Sequence, residues 1–236
     1  MPKRASSLLI ALAAPAACAL ASEAPETTTT QAIRGGEAES GMPAVGLVTF
    51  GSRYCTGTLI APDVVLTAAH CITSAPTTFL TTEGTPVATR AHAVAEKKPY
   101  PSWTPLGCPN PTRDVALLRL AEPITNVDPV PFGAPPSRGE TCTAAGFGRH
   151  GAVERRKRSG TSRIDDVIGN TVRVTWGDAL AHAGDSGSPL LCDDVIVATA
   201  SCHNDGDGAT HQVEYYQRID HAKSWIDATL TEWRAR

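Results

Sequence analysis

Gly184-Asp185-Ser186-Gly187-Ser188-Pro189-Leu190 is the most constrained stretch of this chain. Two others complete its reading: Leu66-Thr67-Ala68-Ala69-His70-Cys71 and Asp114-Val115-Ala116-Leu117-Leu118-Arg119-Leu120. Taken singly, each has an ordinary structural explanation: a glycine-rich turn, a histidine ending an apolar strand, an aspartate opening one. Taken together, they present His70, Asp114 and Ser186 in one order along the chain. A hydrolase needs that set, because a serine hydroxyl becomes a nucleophile when a base takes its proton and a carboxylate orients the base.

The 236 residues are 42% hydrophobic and 19% charged, with 20 Gly and 18 Pro, a composition that excludes a disordered, collagenous or coiled-coil chain. A chain of this length hides roughly 70–75% of its unfolded surface, so it can build a sizeable core as one compact unit or as two small halves. Short runs of Val, Ile and Thr broken by Gly and Pro predict strands joined by turns, hence an all-β protein. The net charge is −3, and the one run of basic residues is Arg155-Arg156-Lys157-Arg158, so nucleic acid is not an expected partner. That run reads first as a solvated loop, then as a site open to proteolysis, then as a membrane or heparin anchor.

The N-terminus reads as an export signal over residues 1–21: Lys3 and Arg4, an apolar stretch from Leu8 to Ala17, then Ala19-Leu20-Ala21 with small residues where a signal peptidase cuts. The apolar stretch is too short to span a bilayer, so a secreted protein, extracellular or periplasmic, is expected. Cys18 permits a second reading, lipid attachment after Ala16-Ala17, which Pro15 disfavours. Residues 22–32, with four consecutive threonines, read as a propeptide or linker. Six cysteines then remain: Cys55, Cys71, Cys108, Cys142, Cys192 and Cys202. An even number in an exported chain predicts three disulfides. None of them forms a Cys-x2-Cys pair, so no metal site is expected, and no cofactor.

The motifs Thr67-Ala68-Ala69-His70-Cys71 and Gly184-Asp185-Ser186-Gly187-Ser188-Pro189 resemble those of the chymotrypsin-like (trypsin-type) serine proteases, and the resemblance runs from residue 33 to about residue 233. It implies two six-stranded antiparallel β-barrels packed at a cleft, with a C-terminal α-helix. Barrel one would cover about 33–121, a Pro-rich linker about 122–137, barrel two about 138–219 and the helix about 220–233. The α/β-hydrolases, the other common home of a nucleophilic serine, use Gly-x-Ser-x-Gly and the order Ser, Asp, His. Position 188 is Ser and the order here is reversed.

The resemblance assigns Ser186 as nucleophile, His70 as base and acid, Asp114 as the group that orients His70, and the N–H groups of Gly184 and Ser186 as an oxyanion hole. It implies a zymogen cleaved before Ile33, whose new terminus pairs with Asp185. Ala32 before that bond does not imply a tryptic activator, and Arg34 stands where the family usually has Val. It pairs Cys55 with Cys71 and Cys142 with Cys192, leaving Cys108 and Cys202 as a tentative pair across the cleft. His182 replaces a cysteine that many members carry.

The substrate pocket implied by the alignment consists of Leu180, Ser201, His203 and Glu214. Leu180 stands where members selective for Lys or Arg carry Asp, so tryptic specificity is not expected. Glu214 has three readings: it binds a basic side chain, it pairs with His203 and closes the pocket, or it faces solvent. His203-Asn204-Asp205-Gly206-Asp207-Gly208 lacks the downstream Glu of a calcium loop and reads as a turn. Asp220 ahead of Trp225, Ile226, Leu230 and Trp233 reads as the N-cap of an amphipathic helix packed on barrel two.

The function expected is that of a secreted serine endopeptidase acting on protein or peptide substrates, monomeric and open to protein inhibitors. The alternatives are a protease-like binding protein with an occluded pocket and an esterase using the same residues.

Overall fold

The computed structural model describes residues 33, 36–83, 88–105, 108, 113–148, 156–174, 181, 183–204 and 213–236. The signal and propeptide readings, and those of Leu180, His182, Arg34, Arg155 and residues 205–208, lie outside the described residues. Among the described residues, no helix is long and apolar enough to cross a membrane.

Six strands close into an antiparallel barrel: β2 (Val45–Phe50), β3 (Arg53–Ala61), β4 (Val64–Thr67), β5 (Thr77–Glu83), β6 (Ala88–Pro99) and β7 (Ala116–Leu120), in the order β2-β3-β4-β7-β6-β5. Closure removes the sheet edges, and Val48, Leu59, Val65, Phe79 and Leu118 fill the interior. Phe79 is fully buried and takes space that Gly46 leaves open, since a Cβ at Gly46 would come within 2.4 Å of its ring.

The second sheet has the order β1-β9-β8-β12-β13-β14-β11-β10. Its strands are β1 (Glu37–Ala38), β8 (Thr141–Gly146), β9 (Arg158–Arg163), β10 (Asp166–Ile168), β11 (Thr171–Val174), β12 (Pro189–Cys192), β13 (Val195–Asn204) and β14 (Val213–Arg218). Six of these form the body; β1 and β10 are short additions at the two ends, and hydrogen bonding does not close the ring among the described residues. Cys142, Ala144, Ile164, Val172, Leu190 and Tyr216 nevertheless share one apolar interior, so the sheet encloses a core as a half-barrel does. Asp193 and Asp194 join β12 to β13 with φ of 51° and 62°, the left-handed pair that a two-residue hairpin turn requires.

Helix α1 (Lys223–Arg234) differs from the expectation in its start and in its seat. Ala222 occupies the cap position without a side-chain cap bond, because the Asp220 carboxylate is taken by Arg218, whose Nε and Nη2 donate to it at 3.0 and 2.6 Å. A charge-assisted bidentate pair outcompetes a single cap bond to a backbone N–H. The buried face, Ile226 and Trp233, packs on Val64, Leu66 and Leu117 of the first barrel as well as on Leu191 and Ile196 of the second sheet. Trp233 Nε1 also donates to Glu96 on β6 at 3.0 Å. The helix therefore seals the seam between the two units.

The basic run is not simply solvated. Arg156 is exposed, but Lys157 is 4% exposed and its Nζ donates to the carbonyls of Met42 at 2.8 Å and Val45 at 3.4 Å. Burial holds its pKa down at about 8, against the opposing field of Glu39. Arg158 Nη2 donates to the Gly36 carbonyl, and Ser159 Oγ to Glu39 at 2.7 Å, so this segment clamps the chain that follows Ile33. Phe79→Ala should destabilise the protein by about 3–5 kcal/mol, measured by urea denaturation, because the fully buried ring packs in the interior of the closed barrel and its loss leaves a cavity there.

Candidate functional site

The first wall of the site is built where β4 ends. Thr67 closes the strand, the chain turns through a single 3-10 turn at Ala69–Cys71, and the Cys55–Cys71 disulfide ties that turn to β3. His70 is thereby lifted to the surface, with its side chain 38% exposed. Asp114 lies just ahead of β7 and is almost wholly buried, its side chain 6% exposed. The residue before it, Arg113, adopts φ 57°, a left-handed conformation that costs a non-glycine residue roughly 1–2 kcal/mol.

Four hydrogen bonds fix Asp114. Oδ1 accepts from the His70 backbone N–H at 2.8 Å, and Oδ2 lies 2.7 Å from His70 Nδ1. Oδ2 also accepts from Ser201 Oγ at 2.5 Å, and the Asp114 N–H donates to Gln217 Oε1 at 3.1 Å. Burial alone pushes the carboxyl pKa up; the bonds from His70 and Ser201 outweigh it and hold the group below its ordinary value. Asp114 is therefore an anion aimed at one ring nitrogen of His70.

Ser186 sits in the turn Ala183–Ser188, which barrel one braces from below. The Thr56 N–H donates to the Ser186 carbonyl at 2.8 Å, and Thr56 Oγ1 donates to the Gly184 carbonyl at 3.0 Å. Gly187 has φ 82°, and a Cβ there would lie 2.3 Å from both the Thr56 carbonyl and Thr67 Oγ1. Gly184 has φ 104° and packs its α-carbon on the Tyr54 ring. Both positions thus demand glycine for conformation and for space. Among the described residues, no hydrogen bond consumes the N–H of Gly184 or of Ser186.

Asp185 is fully buried, and its partners include two backbone groups: Gly148 N donates to Oδ1 at 2.6 Å and Ile33 N to Oδ2 at 3.1 Å. A Cβ at Gly148 would come within 2.1 Å of this carboxylate, so only glycine leaves room for it. His70, Gly184, Ser186, Tyr54 and Cys202 line one open cleft of about 530 Å3. Beside it, Ala181, Ser186, Ser201, His203, Glu214 and Tyr216 are among the described residues that line a small, partly open recess of about 20 Å3.

Glu214 is 1% exposed, which corrects the solvent-facing reading. Its Oε2 accepts from Tyr216 Oη at 3.0 Å, and Oε1 has no partner among the described residues. His203 is its neighbour across β13 and β14 but remains exposed. Burial raises the Glu214 pKa to about 8, with the Tyr216 bond acting against it and the Asp185 charge adding to it.

The structure joins Cys55 to Cys71, Cys108 to Cys202 and Cys142 to Cys192. Cys55 and Cys71 also lie near His70, but disulfide sulfurs are not available as metal ligands. Reading the sequence missed Thr56 and Gln217, which hold the Ser186 turn and Asp114 from the opposite unit, and Thr67, whose hydroxyl donates to the Thr56 carbonyl within the first barrel at 2.8 Å. Their signal is faint: fully or almost fully buried polar side chains at strand positions, which gain meaning only once their partners across the fold are known.

The sequence profile of the family described as Trypsin matches residues 33–226. Among curated relatives, mast cell protease 3 of Ovis aries is 30% identical over 210 residues, covering 78% of this chain and 80% of its own. Duodenase-1 of Bos taurus is 29% identical over 216 residues, with 78% and 80% covered. The solved structure of neuropsin, a serine protease expressed in the limbic system of mouse brain, superposes with a TM-score of 0.71 at 22% identity, covering 83% of this chain and 98% of that one. The chain belongs to the trypsin family of serine endopeptidases.

Proposed function

We propose that this protein hydrolyses peptide bonds in two steps through Ser186, His70 and Asp114. The observation that carries the reading is the buried Asp114 carboxylate 2.7 Å from His70 Nδ1, on the wall of the cleft that also holds Ser186. In the first step His70 takes the Ser186 proton, Oγ attacks the scissile carbonyl carbon, and the developing oxyanion accepts from the unspent N–H groups of Gly184 and Ser186. His70 then gives the proton to the leaving amine. In the second step water, deprotonated by His70, attacks the acyl-enzyme and releases the acid. Asp114 keeps the ring in the tautomer that places the accepting nitrogen toward Ser186 and stabilises the imidazolium.

The same reading makes the chain an exported precursor. Cleavage before Ile33 converts the amide that already faces Asp185 into an ammonium, turning a hydrogen bond into a buried ion pair. Asp185 is next to Ser186, so that ion pair steadies the turn carrying the nucleophile and the two donors. Residues 1–21 direct export and residues 22–32 leave with activation.

The recess beside Ser186 supports a preference for a small side chain before the scissile bond. Its 20 Å3 is room for about one water, and Glu214 within it is mostly protonated at neutral pH, so it offers no standing negative charge to a lysine or arginine.

With the mature terminus verified as Ile33, a diverse peptide library should be cut after Ala, Ser or Val more than after Lys or Arg. Ser186→Ala should abolish cleavage, and Asp114→Asn should lower kcat by about ten-thousandfold with little change in fold, both measured by steady-state kinetics. Intact peptides with free Ile33 would refute the reading. For Glu214, the folded state keeps a proton between the ordinary carboxyl range and about pH 8 that the unfolded state has lost, so its contribution to stability falls as pH rises through that window. Glu214→Gln should match the wild-type melting temperature near pH 5 and exceed it by several degrees near pH 9, as read by thermal unfolding.

A further inference from the structure

The three disulfides differ in what they join. Cys55–Cys71 and Cys142–Cys192 each stay within one unit, and all four residues are buried, at most 9% exposed. Cys108–Cys202 spans 94 residues and crosses between the units: it binds the segment leading into Asp114 to strand β13 of the second sheet, and both residues are half-buried. Cys202 lines the 530 Å3 cleft together with His70 and Ser186.

Its location is tied to Asp114 from two directions. The β13–β14 register shifts between Ala200 and Cys202, so Ser201 stands out of the ladder and directs its hydroxyl to Asp114 Oδ2 at 2.5 Å. The next residue, Cys202, holds the same segment covalently, ahead of Arg113 with its left-handed φ of 57°. One two-residue stretch of the second sheet therefore holds the Asp114 carboxylate through Ser201 and Cys108 through Cys202.

We propose that the Cys108–Cys202 bridge is a reductant-cleavable strut that ties the first unit to β13 and sets the shape of the cleft beside Ser186; this rests on the catalytic reading above. Opening it takes two electrons from a dithiol. One thiolate attacks a bridge sulfur and expels the other cysteine as thiolate; the second thiol of the reductant then displaces the mixed disulfide. Two cysteine thiols and a cyclic disulfide of the reductant result. The two buried bridges are shielded from that attack, so the half-exposed one opens first. Asp114 keeps its bonds to His70, Ser201 and Gln217, so the chief effect falls on substrates long enough to touch the cleft wall at Cys202.

The test treats the processed chain with dithiothreitol under native conditions and maps free thiols by alkylation and mass spectrometry. It measures kcat and KM for a single-residue ester and for a six-residue peptide, with Cys108→Ala measured alongside. Cys108 and Cys202 should appear as thiols before any other cysteine. The peptide-to-ester ratio of kcat/KM should change by about fivefold or more, mainly through KM. Reoxidation should restore it, and Cys108→Ala should show the altered ratio untreated and no further response to dithiothreitol. A ratio constant within about twofold in both reduced chain and variant, even with a lowered melting temperature, would overturn the proposal. So would simultaneous opening of all three bridges. An untreated chain with free Ile33 that hydrolyses neither ester nor peptide would fail the catalytic reading instead.

Discussion

The buried carboxylate of Asp114 is the joint on which the two halves of this molecule meet. It belongs to the first barrel by sequence, yet Ser201 of the second sheet donates to it alongside His70, while Gln217 of the same sheet accepts from the Asp114 backbone N–H. A charge at this depth persists only when several donors converge on it, so the two units can pack in few other arrangements without stranding it. Positioning the anion and docking the sheets are one energetic problem. Helix α1 contributes the apolar half of the solution, burying Ile226 and Trp233 on both units at once.

Asp185 plays the corresponding part inside the second half. Its carboxylate is fully buried and is met by backbone N–H groups of Ile33 and Gly148, brought within reach because Gly146 and Gly148 lack side chains. The segment around Lys157 and Arg158 clamps the chain just after Ile33. Ile33 and the residues after it are thus held between a basic clamp and a buried acid, and the turn carrying Ser186 lies next to that acid. Under the proposed activation, this is the chain of contacts through which cutting the bond before Ile33 would reach the cleft.

The fold class was legible because its markers are local. Short β-branched runs broken by Gly and Pro announce strands, and the order His70, Asp114, Ser186 with its flanking glycines narrows the possible architectures. The supports were not legible, because Thr56 and Gln217 are ordinary strand residues whose roles come from partners in the other half of the chain, such as the Gly184 carbonyl, 128 residues beyond Thr56. Lys157 was read as a solvated charge for a similar reason: sequence displays the charge but not the Met42 and Val45 carbonyls that receive it. Asp220 looked like a cap until Arg218 was seen to claim it. Glu214 stayed ambiguous because a one-residue change of register reverses the face of every strand side chain, and its 1% exposure excludes the solvent-facing reading.

The central claim is that Ser186 is an activated nucleophile whose turn is organised by a free Ile33 terminus. The most direct measurement is stoichiometric labelling with an organophosphorus fluoride, followed by peptide mapping, on the chain beginning at Ile33 and on the unprocessed precursor. The account predicts one label per processed chain, on Ser186, with the precursor reacting far more slowly. Absence of labelling at Ser186 in the processed chain, or equal rates in the two forms, would contradict it.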